Sequence, residues 1–325
     1  MNSRPKLYPL QFVPQLKEKV WGGHQLQTLL NKKGTETIGE SWEISGVEGT
    51  ISEVAHGPLK GMAITDLINE YGETLVGQRV YKDFGSQFPL LFKFIDAQQD
   101  LSVQLHPDDA LAKSRHDSFG KTEMWYILKA DEDARLILGF NRNLSKDDYV
   151  KAMAEGKITS VLHSETVSEG QAFFIAPGTV HAIGAGVLLA EIQQTSDITY
   201  RIYDWDRPDT DGKLRQLHTE EALDAINFNK PNASIIYTVT PNERLLLKKC
   251  PYFVTYKLQL TTIFSINDFQ LGSCKVYMCV AGSAQLITDD AKISLQKGQT
   301  VLVPACCTSY RFETENATLL EVYIP

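Results

Sequence analysis

The sequence contains no apolar stretch approaching the ~20 residues that a membrane-spanning helix requires. Its start, MNSRPKLYPLQFVP, has no apolar core of the kind a secretory leader carries. It also lacks a basic surplus: 32 Lys/Arg against 40 Asp/Glu give a net charge of -8, which argues against nucleic acid or an anionic membrane as the main partner. Cysteine is scarce. The five residues Cys250, Cys274, Cys279, Cys306 and Cys307 are odd in number, fall late in the chain and do not form the spaced pairs of a zinc ribbon. A soluble protein of the reducing cytoplasm is expected. With 43% apolar residues over 325 positions, the chain can bury one large or two moderate cores without covalent staples. Eight basic and seven acidic residues follow residue 235, so the first 235 carry a net -9. An anionic ligand held there needs local Arg or Lys groups.

What the sequence does have is many short apolar segments at strand periodicity, punctuated by Gly, Pro and Asp. Residues 38–44 read as a strand with Glu40 and Glu43 on opposite faces, so at most one of them can enter a site. Residues 88–95 are a nearly unbroken apolar strand interrupted by Lys93, whose ammonium must reach a rim or face a polar cavity. Further strands are expected at 123–128, 134–138, 165–170, 172–176, 187–194 and 199–205, with Glu169-Gly170 as a turn. Three segments carry helical spacing. Residues 59–80 have Thr65 as N-cap before Leu67, Ile68, Tyr71 and Leu75; residues 145–157 have Ser145 and Asp148 at capping-box spacing; residues 219–226 form a third. The Asn-rich stretch 227–232 is the best linker, dividing the chain into residues 1–230 and 231–325. Beyond it lie only short strands, as in a sandwich or barrel. The fold class expected is mainly β, two sandwich modules with a few peripheral helices.

The second region repeats the first in outline. Aligning residues 123–128 with 274–279 superposes Tyr126 on Tyr277 and Glu123 on Cys274, and a later Gly-Gln turn, apolar strand and proline recur at 170–177 and 298–304. From tyrosine to proline the first copy spans 51 residues and the second 27, and the helix at 145–157 fills most of the difference. The first copy has Pro177-Gly178-Thr179-Val180-His181, whereas the second has Pro304-Ala305-Cys306-Cys307 and no histidine. On this alignment the second copy keeps the strands and has lost the candidate ligands, with Cys274 in place of Glu123 and no counterpart of His181.

Those polar groups concentrate in residues 101–123, LSVQLHPDDALAKSRHDSFGKTE. Gln104 and His106 share one strand face, Pro107 ends that strand and starts a short helix headed by Asp108 and Asp109, and Lys121 and Glu123 again lie two apart. His24, His56, His116, His163 and His218 sit in turn-like or helix-flanking sequence, whereas His106 and His181 lie at strand boundaries among apolar residues. Gln104, His106, Glu123 and His181 together suit Zn²⁺, with Fe²⁺, Mn²⁺ or Co²⁺ as alternatives. Lys121 and Arg201 are cations suited to an anionic group or a developing oxyanion. Arg201 can equally be an ion-pair partner of Asp197 or Asp204.

The motifs at 18–23 (EKVWGG), 38–43 (IGESWE), 90–97 (LLFKFIDA), 101–109 (LSVQLHPDD), 120–123 (GKTE), 177–183 (PGTVHAI) and 191–201 (EIQQTSDITYR) resemble the type I mannose-6-phosphate isomerases of the short bacterial branch. The resemblance implies a double-cupin fold and one zinc ion on Gln104, His106, Glu123 and His181. It further implies interconversion of mannose 6-phosphate and fructose 6-phosphate, Arg201 and Lys121 as active-site residues, and Ser102 towards the phosphate. Lys93 and Asp197 join Ser102 as expected substrate-binding residues. Asp197, Lys121, Glu43 and a zinc-bound water stay open as the base. The chain lacks the helical insertion of the long eukaryotic pattern and has Thr122 where many relatives have proline. A monomer or weak dimer acting on a free sugar phosphate is expected. A cupin Fe²⁺ oxygenase and a non-catalytic sugar-binding cupin are the competing functions.

Overall fold

The computed structural model describes residues 4–34, 37–209, 211–269 and 272–325. Strands dominate and form three antiparallel sheets. The first runs, in spatial order, Gln15–Gly23, Ile38–Ile44, Leu90–Ala97, Val187–Gln194, Glu123–Ala130, Ala172–Ile175 and Ser234–Ile235. The second runs Tyr200–Tyr203, Val103–Leu105, His181–Ile183, Arg135–Phe140 and Leu162–Thr166. The third, built around Ser309–Tyr323 and Lys275–Ile287, curls about its own core of Leu258, Tyr277, Leu286, Val301 and Phe312.

The layers follow from parity along the central strands. Phe92, Phe94, Met124, Tyr126, Leu188 and Ala190 face a core that also contains Val276, Met278, Leu320 and Val322 of the third sheet, so one apolar layer joins the two modules. The alternate residues Ile95, Trp125, Ile127 and Leu189 pack towards the second sheet. The far side of that sheet is covered by helix Lys146–Ala154, through Tyr149 and Ala152, and by Ala222 and Ile226. Central strands buried on both faces read as continuous apolar runs rather than alternating ones. The few charges in such strands are conspicuous for that reason. No helix among the described residues is long and apolar enough to cross a membrane.

The helix expected over 59–80 is three short ones, Ile64–Tyr71, Glu73–Val76 and Gln78–Phe84, broken at Gly72 (φ 46°) and Gly77 (φ 96°). Ala63, not Thr65, is the N-cap. The capping box of Ser145 and Asp148 is present, whereas the helix after residue 218 is one turn, Thr219–Ala222. Residues after the Asn-rich stretch still pack on the first module: Ala233 is in its core, Ser234–Ile235 pairs with Ala172–Ile175, and the Tyr237 hydroxyl donates to the Gly170 carbonyl.

The repeat is real, but its register is one residue away from the sequence alignment. Tyr126 pairs with Ala172, two residues after Gly170, and Met278 pairs with Thr300, two residues after Gly298. Glu123 therefore corresponds to Lys275, not Cys274, and Trp125 to Tyr277. A one-residue slip exchanges the faces of a strand. In this register the second copy still lacks the candidate ligands, with Lys275 at the position of Glu123 and no histidine, but its interior keeps other polar groups. Glu321 is the counterpart of Glu191, since they lie opposite Tyr277 and Trp125 respectively. Tyr277 donates to Glu321 at 2.6 Å, as the Trp125 indole donates to Glu191 at 2.8 Å. Tyr277 and Tyr310 hydrogen-bond at 2.7 Å, and the space left beside them is about 10 Å³. The second interior is closed by aromatic rings.

Candidate active site

Between the first two sheets lies a cavity of about 560 Å³, within the range of small-ligand sites. Two central strands of the first sheet each send one charged side chain into this space. Lys93 and Glu191 come from Leu90–Ala97 and Val187–Gln194 and line it, Glu191 being the cross-strand neighbour of both Lys93 and Trp125, while Glu123 at the start of Glu123–Ala130 lies behind the wall against His181. The second sheet supplies the opposite wall. Gln104 lies opposite His181 on one side and Arg201 on the other, and His106 follows directly where Pro107 ends the strand.

His106, Glu123 and His181 converge. One nitrogen or oxygen atom from each lies within 4.8 Å of the others, and each residue is 1% exposed. His106 Nε2 is 3.3 Å from Glu123 Oε1, and His181 Nε2 is 3.7 Å from Glu123 Oε2. Each imidazole holds a backbone carbonyl at 2.8 Å through Nδ1, His106 that of Ile198 and His181 that of Thr179. A carbonyl accepts only, so the proton sits on Nδ1 and the Nε2 lone pair points inward. His106 Nε2, Glu123 Oε2 and His181 Nε2 are buried with no hydrogen-bond partner. Burial and then Lys121 pull His106 down to about 3, and burial also lowers His181. Burial alone would raise Glu123, but Lys121 and the imidazoles hold it well below the ordinary carboxylate range. Two neutral imidazoles and a carboxylate with inward lone pairs can hold a metal ion. Gln104 lines the same cavity with its oxygen 3.3 Å from Ser102 Oγ.

The other expected residues are distributed around this cluster. Lys121 is buried with Nζ 3.0 Å from Glu123 Oε1. Arg201 donates from Nε to Ser102 Oγ at 3.3 Å and from Nη1 to the Gln216 carbonyl at 2.9 Å. Neither Asp197 nor Asp204 is its hydrogen-bond partner: Asp204 accepts from Arg215 and Arg207, and Asp197 is an exposed residue on the cavity wall. Lys93 faces the cavity rather than a rim, bonded to Glu191 Oε1 at 2.9 Å with its ammonium 5.0 Å from the Trp42 ring. Of the two glutamates on Ile38–Ile44, Glu40 is on the wall. Glu43 is turned away, accepting from Lys32 Nζ at 2.7 Å and Ser41 Oγ at 2.6 Å. Lys32 also donates to the Gly298 carbonyl of the second module, so Glu43 belongs to the joint between modules.

Sequence reasoning gave no role to Glu191, Trp125 and Arg215, all on the cavity wall, and of the pair Glu40 and Glu43 it carried forward Glu43 as a candidate base, whereas Glu40 is the one on the wall. For Glu191 the signal was present: a lone acid in the apolar run 187–192 mirrors the lone Lys93 in 88–95, and such charges pair across strands. Arg215 sits in a polar loop with no comparable signal.

The catalytic-domain model of type I phosphomannose isomerase matches residues 9–133, and the cupin-domain model of mannose-6-phosphate isomerase matches residues 242–324. The chain is 35% identical over 308 residues to a mannose-6-phosphate isomerase of Streptococcus mutans, covering 94% of this chain and 95% of that one. It is 35% identical over 311 residues to one of Bacillus subtilis, covering 94% and 96%. The crystal structure of mannose 6-phosphate isomerase from Bacillus subtilis is similar with a TM-score of 0.83 at 29% identity, over 97% of this chain and 99% of that one.

Proposed function

The chain belongs to the type I phosphomannose isomerase family, and from that premise we propose that it interconverts mannose 6-phosphate and fructose 6-phosphate with one zinc ion on Gln104, His106, Glu123 and His181. The observation that carries the reading is the convergence of three buried, partnerless ligand atoms, with both imidazoles fixed as inward-facing acceptors. Bound there, zinc supplies Lewis acidity towards the sugar's oxygens. The protein's own groups do the rest. Aldose–ketose isomerisation moves a proton between adjacent carbons through an enediolate, so the site needs a base and a positive charge opposite the developing oxyanion. Lys121, buried beside Glu123, supplies that charge nearest the ligand cluster. Arg201 adds to it from beside Ser102. With Glu43 turned towards Lys32, and with Lys121 assigned the positive charge, Asp197 is the protein candidate for the base that lines the cavity. Glu191, Lys93 and Trp125 form a bonded frame beside them. All five cysteines are free, which suits the reducing cytoplasm, and the substrate is a free sugar phosphate met by a monomer or weak dimer.

The test is metal analysis with a coupled isomerase assay before and after chelation. About one zinc per chain, activity lost on chelation and regained with zinc are expected, and His181→Ala should lose both metal and activity. Oxygen uptake with Fe²⁺ in place of sugar-phosphate turnover, or binding of mannose 6-phosphate without conversion, would overturn the reading.

A further inference from the structure

Resting on the sugar-phosphate reading of the cavity, we propose that Arg215 is a specificity-determining residue that joins Arg201 and Ser102 to grip the substrate's phosphate group. Residues 211–218, which follow the strand Tyr200–Tyr203 in the chain, lie against that strand. The Arg201 amide donates to His218 Nδ1 at 3.2 Å, the His218 amide returns to the Arg201 carbonyl at 2.7 Å, and Arg201 Nη1 holds the Gln216 carbonyl. This return brings Arg215 onto the cavity wall that Arg201 and Ser102 already line.

Arg215 is aimed by a carboxylate behind it. Its Nε and Nη2 both donate to Asp204 at 2.6 Å, and Nη1 is the nitrogen that remains for a ligand. Asp204 is 6% exposed, is not on the cavity wall, and is shared with Arg207 at 3.2 Å. Asp204 is shared between two arginines, and Arg215 stands on the same cavity wall as Arg201. Burial, and next the nearness of Arg215, lower the proton affinity of Arg201, opposed by Asp204 and Asp209. Two guanidinium groups held close at a cavity wall repel unless an anion sits between them. A phosphate dianion matches their planar donors.

The remaining cations argue for this end of the cavity. Lys93, Lys121 and Lys19 each have a carboxylate within 3.5 Å, namely Glu191, Glu123 and Glu40. Lys17 lies 5.2 Å from the Trp42 ring. The hydrogen bonds of Arg201 go to a hydroxyl and a peptide oxygen, which leaves its charge available.

The experiment compares Arg215→Gln and Arg215→Lys with the parent in the zinc-loaded full chain. It reads KM and kcat for mannose 6-phosphate, calorimetric binding of inorganic phosphate, metal content and melting temperature. Losing a hydrogen bond between charged groups should weaken phosphate binding and raise KM by roughly 10- to 100-fold in Arg215→Gln. The same variant should keep its metal and kcat within about threefold, and Arg215→Lys should recover part of the loss, since it keeps the charge and not the fork. Turnover by the parent with phosphate affinity and KM unchanged in Arg215→Gln overturns the inference and leaves the isomerase reading intact. A fall confined to kcat and melting temperature also overturns it, because Arg215 then acts only as a latch on Asp204. Phosphate binding that depends on Arg215 in a protein that turns over no sugar phosphate supports the anion site and sinks the isomerase reading.

Discussion

Glu40 and Glu43 lie three residues apart on one strand, yet one faces the cavity and the other is locked in the joint between modules. Strand parity sets that difference, and Lys32, buried between Glu43 and the Gly298 carbonyl, holds Glu43 in the joint. Removing one member of a buried pair leaves an uncompensated charge, so Lys32→Met should destabilise the fold by about 3–5 kcal/mol. Urea unfolding measures that cost. Isomerase activity per folded molecule should not change, because Glu43 is not on the cavity wall; a matching loss of activity in a fully folded sample would return Glu43 to the chemistry. Cysteine reactivity is also decided residue by residue. Burial pushes Cys274 and Cys279 up to about 12, whereas a hydrogen bond from the adjacent Cys307 lowers the exposed Cys306 to about 7. The thiolate is the nucleophile. Alkylation of Cys306 by iodoacetamide should therefore rise with pH up to about 7 and level off above about 8, with Cys274 and Cys279 unmodified until the protein unfolds. Peptide mass spectrometry over pH 6 to 9 reads this, and a Cys306 rate still climbing tenfold per unit at pH 9 would rule it out.

At the scale of elements, the first module was legible wherever chemistry interrupts a pattern. A lysine in an apolar strand, a histidine after Pro-Gly and a glutamate two after a lysine all announce themselves locally. Register does not. Gly-Gln turns located the repeat, but matching the two tyrosines shifted it by one residue, and that slip put Cys274 in place of Lys275 at the Glu123 position and hid the buried cluster of Lys275 and Glu321. Glu191 had a local signal as the lone acid of an apolar run, but its partners Lys93 and Trp125 are set by register. The helical satellite failed differently. Its apolar spacing is helical throughout, but Gly77 at φ 96° breaks it where the chain meets the second module, and a Cβ there would lie 1.9 Å from the Gly272 carbonyl oxygen. Gly61 is a fair comparison, with φ 83° and open space around it. Each Gly→Ala change costs about 1–3 kcal/mol in backbone strain. Gly77→Ala should cost clearly more than Gly61→Ala by thermal unfolding, and equal losses would mean that the close approach is not a constraint in solution.

For the whole molecule, the question is why a module with a closed interior is kept. The shared core answers part of it. Phe92, Phe94, Met124 and Leu188 of the first module pack against Leu247, Phe253, Met278 and Leu320 of the second, and each such side chain fully buried is worth about 1.5–3 kcal/mol. A chain ending at residue 238 retains every proposed zinc ligand and the edge strand Ser234–Ile235, yet it exposes that face as one apolar patch. It should be insoluble or lack a cooperative melting transition. The second contribution is local. Tyr252, in the turn after Arg244–Lys249, donates to Asp109 Oδ2 at 2.6 Å, while Asp109 Oδ1 accepts from the Gly120 amide at 2.8 Å and from Gln194 Nε2 at 3.0 Å. Gln194 in turn accepts from the Thr122 amide at 2.9 Å. The second module thus reaches the backbone on both sides of Lys121 through two residues. Tyr252→Phe removes that hydroxyl and leaves the apolar core intact, so it should remain soluble and lose about 1.5–3 kcal/mol at most. It should lower kcat more than it changes KM, because Lys121 is placed less tightly while the Arg201 and Arg215 end of the cavity is untouched. A cooperative, zinc-binding fragment 1–238 would show that the shared core is dispensable. Unchanged kcat in Tyr252→Phe would show that the strut is, leaving the second module no part in placing the chemistry.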